Sequence, residues 1–232
     1  MSTNVAAASE VRWHPFADGG ALRADARRRV IDSAARAIDE RRRFVIVLAG
    51  GSTPRALYRS LRDADTDWTR WHVYFGDERC VAADDAERNS VMAAETLLDH
   101  VPIPPAQRHA IPAELGADAA ARRYSDALRD VGEFDLVLLG LGEDGHAASL
   151  FPGQVAPAES DVVAVFDAPK PPPERVSLSA ARLSRTRAAL FLIEGESKRD
   201  AVRRWRAGVD IPASTIRPRS GVDVLLDASL LE

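Results

Sequence analysis

The sequence predicts an α/β fold, a mostly parallel sheet flanked by helices. Short apolar runs alternate with amphipathic helical stretches along the 232 residues, the order expected of a parallel sheet covered on both faces. Two of the runs, FVIVLAG (44–50) and FDLVLLG (134–140), are apolar without polar alternation, as strands buried on both faces are. Three runs lead into the chemically loaded stretches GGSTP, GDER and GEDGH. Ligands of open α/β sheets bind beyond the carboxyl ends of the strands.

The elements follow in order. Leu22, Ala26, Val30, Ile31, Ala34 and Ile38 recur at helical spacing among Arg and Asp, which predicts a helix over 19–42. FVIVLAG is a buried strand. Ser52 or Thr53 can cap the next helix, with Pro54 in its first turn and ALYRSL behind it. WHVYF (71–75) is a second strand; 89–99 and 116–130 are helical. FDLVLLG is the third clear strand. Further strands are VVAVF (162–166), RVSLS (175–179), AALFLIE (188–194) and DVLLD (223–227), with a helix over 196–205. The arrangement is Rossmann-like, and residues 1–232 read as a single α/β domain. APKPPPE (168–174) is a proline-rich connector. It leaves two arrangements open: the final strands form a smaller C-terminal lobe, or they join the same sheet.

Composition narrows the function classes. Hydrophobic residues make up 46% of the chain, enough for a full core. A formal net charge of −4 provides no general attraction for nucleic acid or an anionic membrane. Cys80 is the one cysteine, so no intrachain disulfide forms, in keeping with a reducing compartment. The opening MSTNVAAASEVRWH lacks a basic segment followed by a long apolar one, and no run approaches the ~18 apolar residues of a membrane span. The expectation is a soluble cytoplasmic protein. Only Lys170 and Lys198 among the 31 basic residues are lysines.

GLGEDG (140–145) fits the dinucleotide pattern G-x-G-x-x-G, and Asp167 stands roughly where a ribose-binding acid would. Three features oppose that reading. Glu143 and Asp144 would set carboxylates against a pyrophosphate, Phe151-Pro152-Gly153 cuts short any following helix, and the motif lies mid-chain. The glycines instead allow a tight turn that presents His146 where a short helix begins. An imidazole titrates near neutrality and suits general-base work. His14, His72, His100 and His109 lack such a context. No H-x-x-x-H, cysteine cluster or G-x-S-x-G appears, so neither a metal nor a serine nucleophile is indicated.

Gly51, Ser52 and Thr53 between a strand and a helix make an anion site, since first-turn N–H groups point outward and the helix dipole favours negative charge. An ordinary capped helix start would carry the same residues; the company of the other two loops favours phosphate. Arg79 in GDER can bind a substrate oxygen or phosphate through paired hydrogen bonds, oriented by Asp77 or Glu78. Cys80 reads as packing.

Together the three loops resemble the 6-phosphogluconolactonase family. The signatures are LAGGSTPRALYRSL (48–61), GDER followed by RN (88–89) and ETLL, GLGEDGHAASLFPG (140–153), RVSLSAARLSRTRAALFLIEGESKRDAV (175–202) and IPASTIRP (211–218). The related amino-sugar-6-phosphate deaminases/isomerases share the fold, the GSTP loop and a DGH, but typically carry DEY and DGHIAFNEP. Arg79 and Ser149-Leu150-Phe151-Pro152 favour the lactonase. Ala147 replaces a common Thr, and Ala82 and Arg88 replace a usual Pro and Ser.

The resemblance implies cofactor-free hydrolysis of a small molecule, 6-phospho-D-glucono-1,5-lactone, in the oxidative pentose phosphate pathway, with no obligate protein partner. His146 would be the base and Asp144 would hold the imidazole or its water; glycine-loop N–H groups or Arg79 would meet the oxyanion. Gly51, Ser52, Thr53, Arg79, Arg175 and Lys198 would bind the phosphate. The alternatives are an amino-sugar phosphate deaminase/isomerase and a non-catalytic sugar-phosphate-binding regulator.

Overall fold

Seven parallel strands run side by side in the order β1-β10-β9-β6-β2-β3-β5. In chain order they are β1 (Val11–Phe16), β2 (Phe44–Leu48), β3 (Trp71–Phe75), β5 (Arg108–His109), β6 (Leu136–Leu139), β9 (Ala189–Ile193) and β10 (Val222–Asp227). The remaining three, β4 (Asp77–Arg79), β7 (Val162–Val165) and β8 (Arg175–Leu178), form a small antiparallel sheet in the order β4-β8-β7. This computed structural model describes residues 10–154 and 160–232. The expectation that the N-terminus carries no leader falls partly on residues 1–9, outside the described residues.

Every residue of β2, β6 and β9 is buried, so the central strands are covered on both faces and need apolar side chains at successive positions. The helices supply the cover. In α1 (Gly19–Arg41), Leu22, Ala26, Val30, Ala34 and Ala37 form the buried stripe, and Asp18 caps the start by accepting from the Ala21 N–H at 2.8 Å. The others are α2 (Ser52–Leu61), α3 (Asn89–Thr96), α4 (Ala117–Leu128), the short α5 (Ala180–Ser184) and α6 (Arg199–Arg206). Among the described residues no helix is long and apolar enough to cross a membrane.

The structure departs from the expectations in several places. Strands β9 and β10 lie inside the seven-stranded sheet, so the last strands join it and make no separate C-terminal lobe. Strand β1 extends the sheet beyond β10 and was not anticipated. No helix follows His146; residues 143–150 form turns, with an isolated bridge between Ala147 and Leu150. Gly51, rather than Ser52 or Thr53, is the N-cap of α2, and no side chain caps that helix.

Parallel order puts all carboxyl ends of the main sheet on one edge. The neighbouring strands β9, β6, β2 and β3 therefore deliver EGESK, GLGEDGH, GGSTP and GDER to the same place.

The β3–β5 edge of the sheet carries a titratable stack. On β3 and β5, the His109 ring stacks on Tyr74 at 4.2 Å and on His72 at 5.9 Å between centroids. Burial holds both imidazoles below their ordinary value of 6.5, aided by Arg43 at His72 and by His72 at His109. The unfolded chain takes up protons at these rings near 6.5 and the folded chain only at lower pH. Between those values the unfolded state binds more protons, so stability falls as pH falls. The melting temperature should therefore drop on acidification below about pH 6.5, and His72→Phe/His109→Phe, which keeps the aromatic stack, should flatten part of that drop. A thermal melt at each pH checks this; an unchanged slope in the double variant would refute it.

Candidate active site

A cavity of about 580 Å³ opens at the carboxyl edge of the sheet. Its walls include Gly51, Asp77, Arg79, Asn89, Asp144, His146, Lys170, Arg175 and Lys198. A larger hollow of about 720 Å³ lies beyond Phe151, lined mainly by apolar side chains; none of the residues expected to act on substrate lines it. Convergent polar groups, not volume, mark the site.

His146 is held from three sides. Its Nδ1 lies 2.5 Å from Asp144 Oδ1, which also accepts from the His146 backbone N–H at 3.1 Å. Burial pushes the Asp144 carboxyl up, but the hydrogen bonds and charge of His146 outweigh burial and leave it below the ordinary carboxylate value. An ionised carboxylate only accepts, so Nδ1 carries the hydrogen, and in the neutral form of the ring Nε2 is the nitrogen with the free lone pair. Phe151 packs on the ring at 4.7 Å between centroids. The third side is Gly142: a Cβ there would sit 2.0 Å from His146 Nδ1. Gly142 also accepts from the Gly145 N–H at 3.1 Å and donates to the His146 carbonyl at 2.8 Å, closing the turn. At Gly145, φ is +92° and a Cβ would meet Ile211 at 2.9 Å, so a side chain is excluded by both conformation and space.

The cations come from the small sheet and the β9 edge. Strand β4 has three residues, and its alternation decides their roles. Asp77 and Arg79 face the cavity, while the fully buried Glu78 points to the start of α3. There it accepts from the N–H groups of Asn89 (2.7 Å), Ser90 (2.8 Å) and Arg79 (3.0 Å). Glu78 is thus a helix-capping group outside the cavity. Arg79 pairs directly across from Arg175 on β8. Burial, then the charge of Arg79, lowers the Arg175 guanidinium below its ordinary value. Its Nε and Nη2 donate to the carbonyls of Pro172 (3.2 Å) and Lys170 (3.0 Å). The Arg79 Nη1 donates to the Glu87 carbonyl, and its Nε is buried with no partner among the described residues. Like charges directly opposite on paired strands repel, and the carboxylates of Asp77 and Glu87 offset part of this at Arg175.

Asp77 joins the two halves. Its carboxylate accepts from the buried Ser149 hydroxyl at 2.6 Å and from Asn89 Nδ2 at 3.0 Å. Lys198 ends the single turn Glu196–Lys198 that leads into α6.

Gly51, Arg79, Asp144, His146, Arg175 and Lys198 therefore stand around one cavity. Ser52 and Thr53 occupy the first positions of α2 and are not in its lining. Sequence reasoning assigned no role to Asn89, Glu143 or Lys170. The RN at 88–89 and the scarcity of lysine were the available signals. Cys80 is part-buried and packs against the core, its thiol pushed up to about 11 mainly by burial. Among the described residues no group of three or more His, Cys, Asp or Glu is arranged to hold a metal ion.

Fold and site together define a small α/β protein with a carboxylate-supported imidazole that shares one cavity with several cations. A sequence model of the family described as glucosamine-6-phosphate isomerases/6-phosphogluconolactonase matches residues 17–225, and the chain belongs to that family. It is 40% identical over 218 residues to a 6-phosphogluconolactonase of Mycobacterium leprae, covering 86% of this chain and 88% of that one. The crystal structure of a 6-phosphogluconolactonase from Thermotoga maritima superposes with a TM-score of 0.88 at 26% identity, covering 94% of this chain and all of that one. A monomeric glucosamine-6-phosphate deaminase superposes with a TM-score of 0.82 at 24% identity over 95% of this chain and 98% of that one, a likeness of fold.

Gly142→Ala should displace the imidazole while the sheet stays folded. A misplacement of about 1 Å costs on the order of a hundredfold in turnover. Circular dichroism and turnover together check this; full activity in the alanine variant would show that the ring is not held by that contact.

Proposed function

We propose that this protein hydrolyses 6-phospho-D-glucono-1,5-lactone to 6-phospho-D-gluconate, the lactonase step of the oxidative pentose phosphate pathway. The single observation that carries the reading is a carboxylate-held imidazole in the same cavity as the opposed pair Arg79 and Arg175. The relatives named 6-phosphogluconolactonase support it.

The chemistry follows from the groups present. His146 Nε2 takes a proton from water as the water oxygen attacks the lactone carbonyl carbon. Asp144 keeps Nδ1–H in place and stabilises the imidazolium that forms. The tetrahedral intermediate collapses, the bond from the carbonyl carbon to the ring oxygen breaks, and that oxygen takes the proton back from Nε2. The product is a free carboxylic acid, which ionises. No covalent enzyme intermediate is needed, and the side chains present supply each proton transfer.

Arg79, Arg175 and Lys198 hold the phosphate, with the backbone of Gly51 at the start of α2. Ser52 and Thr53 contribute through the α2 N-terminus rather than as cavity-lining side chains. The chain acts as one α/β unit on a small sugar phosphate, in the cytoplasm, without a metal or redox cofactor. The amino-sugar deaminase/isomerase shares this fold, so substrate choice decides between them. The intact Asp144–His146 pair disfavours a non-catalytic regulator.

Freshly generated lactone should be turned over far faster than its spontaneous hydrolysis, and glucosamine 6-phosphate should not be consumed. The reverse result would refute the reading. His146→Ala should lower turnover by ~10²–10⁴-fold, the usual size of general-base catalysis, with little change in substrate affinity. Arg175→Ala or Lys198→Ala should instead raise KM by about ten- to a hundredfold, the worth of a charge-assisted contact. Steady-state kinetics corrected for the uncatalysed reaction separate the two; near wild-type turnover of a folded His146→Ala variant would place the base elsewhere. Activity should also survive a strong chelator. Loss restored by one metal ion would refute metal independence.

A further inference from the structure

The only two lysines in a chain with 31 basic residues face the same cavity. Lys198 already has a role there; Lys170 does not. It stands between Pro169 and Pro171 in the proline-rich connector, and all three line the cavity. Its ammonium pairs with Glu143 at 2.6 Å, and both side chains are at least half exposed. Glu143 immediately precedes Asp144, the partner of the catalytic imidazole. The hydrogen bond from Lys170, then its charge, holds the Glu143 carboxyl below its ordinary value, and the charge of Lys198 adds to this. Glu143 is thus the counter-anion of Lys170.

The backbone of Lys170 is fastened by Arg175, while its side chain is held by the exposed ion pair with Glu143. Arg175 donates to the carbonyls of Lys170 and Pro172, which ties the connector to a phosphate-binding guanidinium. The ammonium itself is on a flexible four-carbon stem, a compact charge that changes partner readily, where arginine offers a rigid fork.

We propose that Lys170 is a further phosphate-binding residue and that Glu143 is its built-in competitor. An incoming phosphate takes the Lys170 ammonium from the Glu143 carboxylate. A phosphate monoester carries about −1.5 to −2 charges near neutrality and three acceptor oxygens, against a single charge on Glu143. The exchange therefore favours the ester, beside Arg79, Arg175 and Lys198. A sugar lactone without phosphate leaves the ion pair closed, so the pair adds selectivity for phosphorylated substrates. The inference rests on the lactonase reading for the identity of the ester, but not for the exchange.

The test is a double-mutant cycle read with inorganic phosphate by titration calorimetry and, in parallel, with KM for the lactone. Lys170→Ala should weaken phosphate binding and raise KM about three- to fivefold, the scale of an exposed ion pair. Glu143→Gln should shift both in the opposite direction by a similar factor, and Lys170→Arg should retain most of the binding. The gain from Glu143→Gln should largely vanish when Lys170 is already alanine. Both single variants weakening binding alike would make the pair a structural clasp and overturn the proposal. An equal gain from Glu143→Gln in both backgrounds would reduce Glu143 to distant repulsion and overturn it too. So would the absence of phosphate binding by the unmutated protein. If the phosphate cycle behaves as expected but no variant hydrolyses the lactone, the exchange stands and the lactonase reading falls.

Discussion

The hydrogen bond from the Ser149 hydroxyl to the Asp77 carboxylate, 2.6 Å long and buried, fastens two strand ends that the chain order leaves far apart. Ser149 ends the turn that carries His146; Asp77 begins β4, which carries Arg79. The same carboxylate accepts from Asn89 Nδ2, so the start of α3 is bound into the joint. Ser149 is held again through its backbone N–H, which donates to the Ser177 hydroxyl on β8 at 3.2 Å. A buried carboxylate stripped of such donors is costly, so the joint resists opening. Its consequence is geometric: His146 and the opposed guanidiniums share one frame, so in the proposed reaction the distance between the attacked carbonyl and the phosphate can be matched to one substrate.

Much of this frame was legible because buried parallel strands write continuous apolar runs, and loops at their carboxyl ends write polar, glycine-bearing ones. Strands β2, β3 and β6 were read with their loops, and with them the common edge of the site; β9 was read as a strand without its place beside them. Strand β1 was not. It lies at the edge of the sheet with Arg12 and His14 in it, and its pairing is with β10, more than two hundred residues away in sequence. Strand β4 was hidden for a different reason. Three residues cannot display a period of two, so nothing in GDER says that Glu78 faces α3 while Asp77 and Arg79 face the cavity. The partner strand β8 supplies that information.

The helix expected after His146 failed on the same kind of evidence. Glycine at 145 was legible as a turn residue, but the closeness of Ile211, which leaves no room for a Cβ there, comes from the segment after α6. The Ala213 N–H closes on the Gly145 carbonyl at 3.0 Å, so the path of residues 143–150 is set by a stretch some seventy positions downstream. Local capping rules cannot register such a contact. They also misplace the start of α2, where Gly51 ends the loop with backbone alone and the two hydroxyl residues fall inside the helix.

The resemblance of GLGEDG to a dinucleotide loop is then explained by what approaches its glycines. In a nucleotide site, missing side chains let a pyrophosphate reach the backbone. Here the space above Gly142 is filled by the protein's own imidazole. The acidic residues that argue against a pyrophosphate are the ones this turn needs. Asp144 sets the tautomer of His146, and Glu143 engages Lys170 at the rim. The same spacing of glycines therefore serves opposite electrostatics. The residues between the glycines, not the glycines themselves, decide whether the loop receives an anion or aims a base.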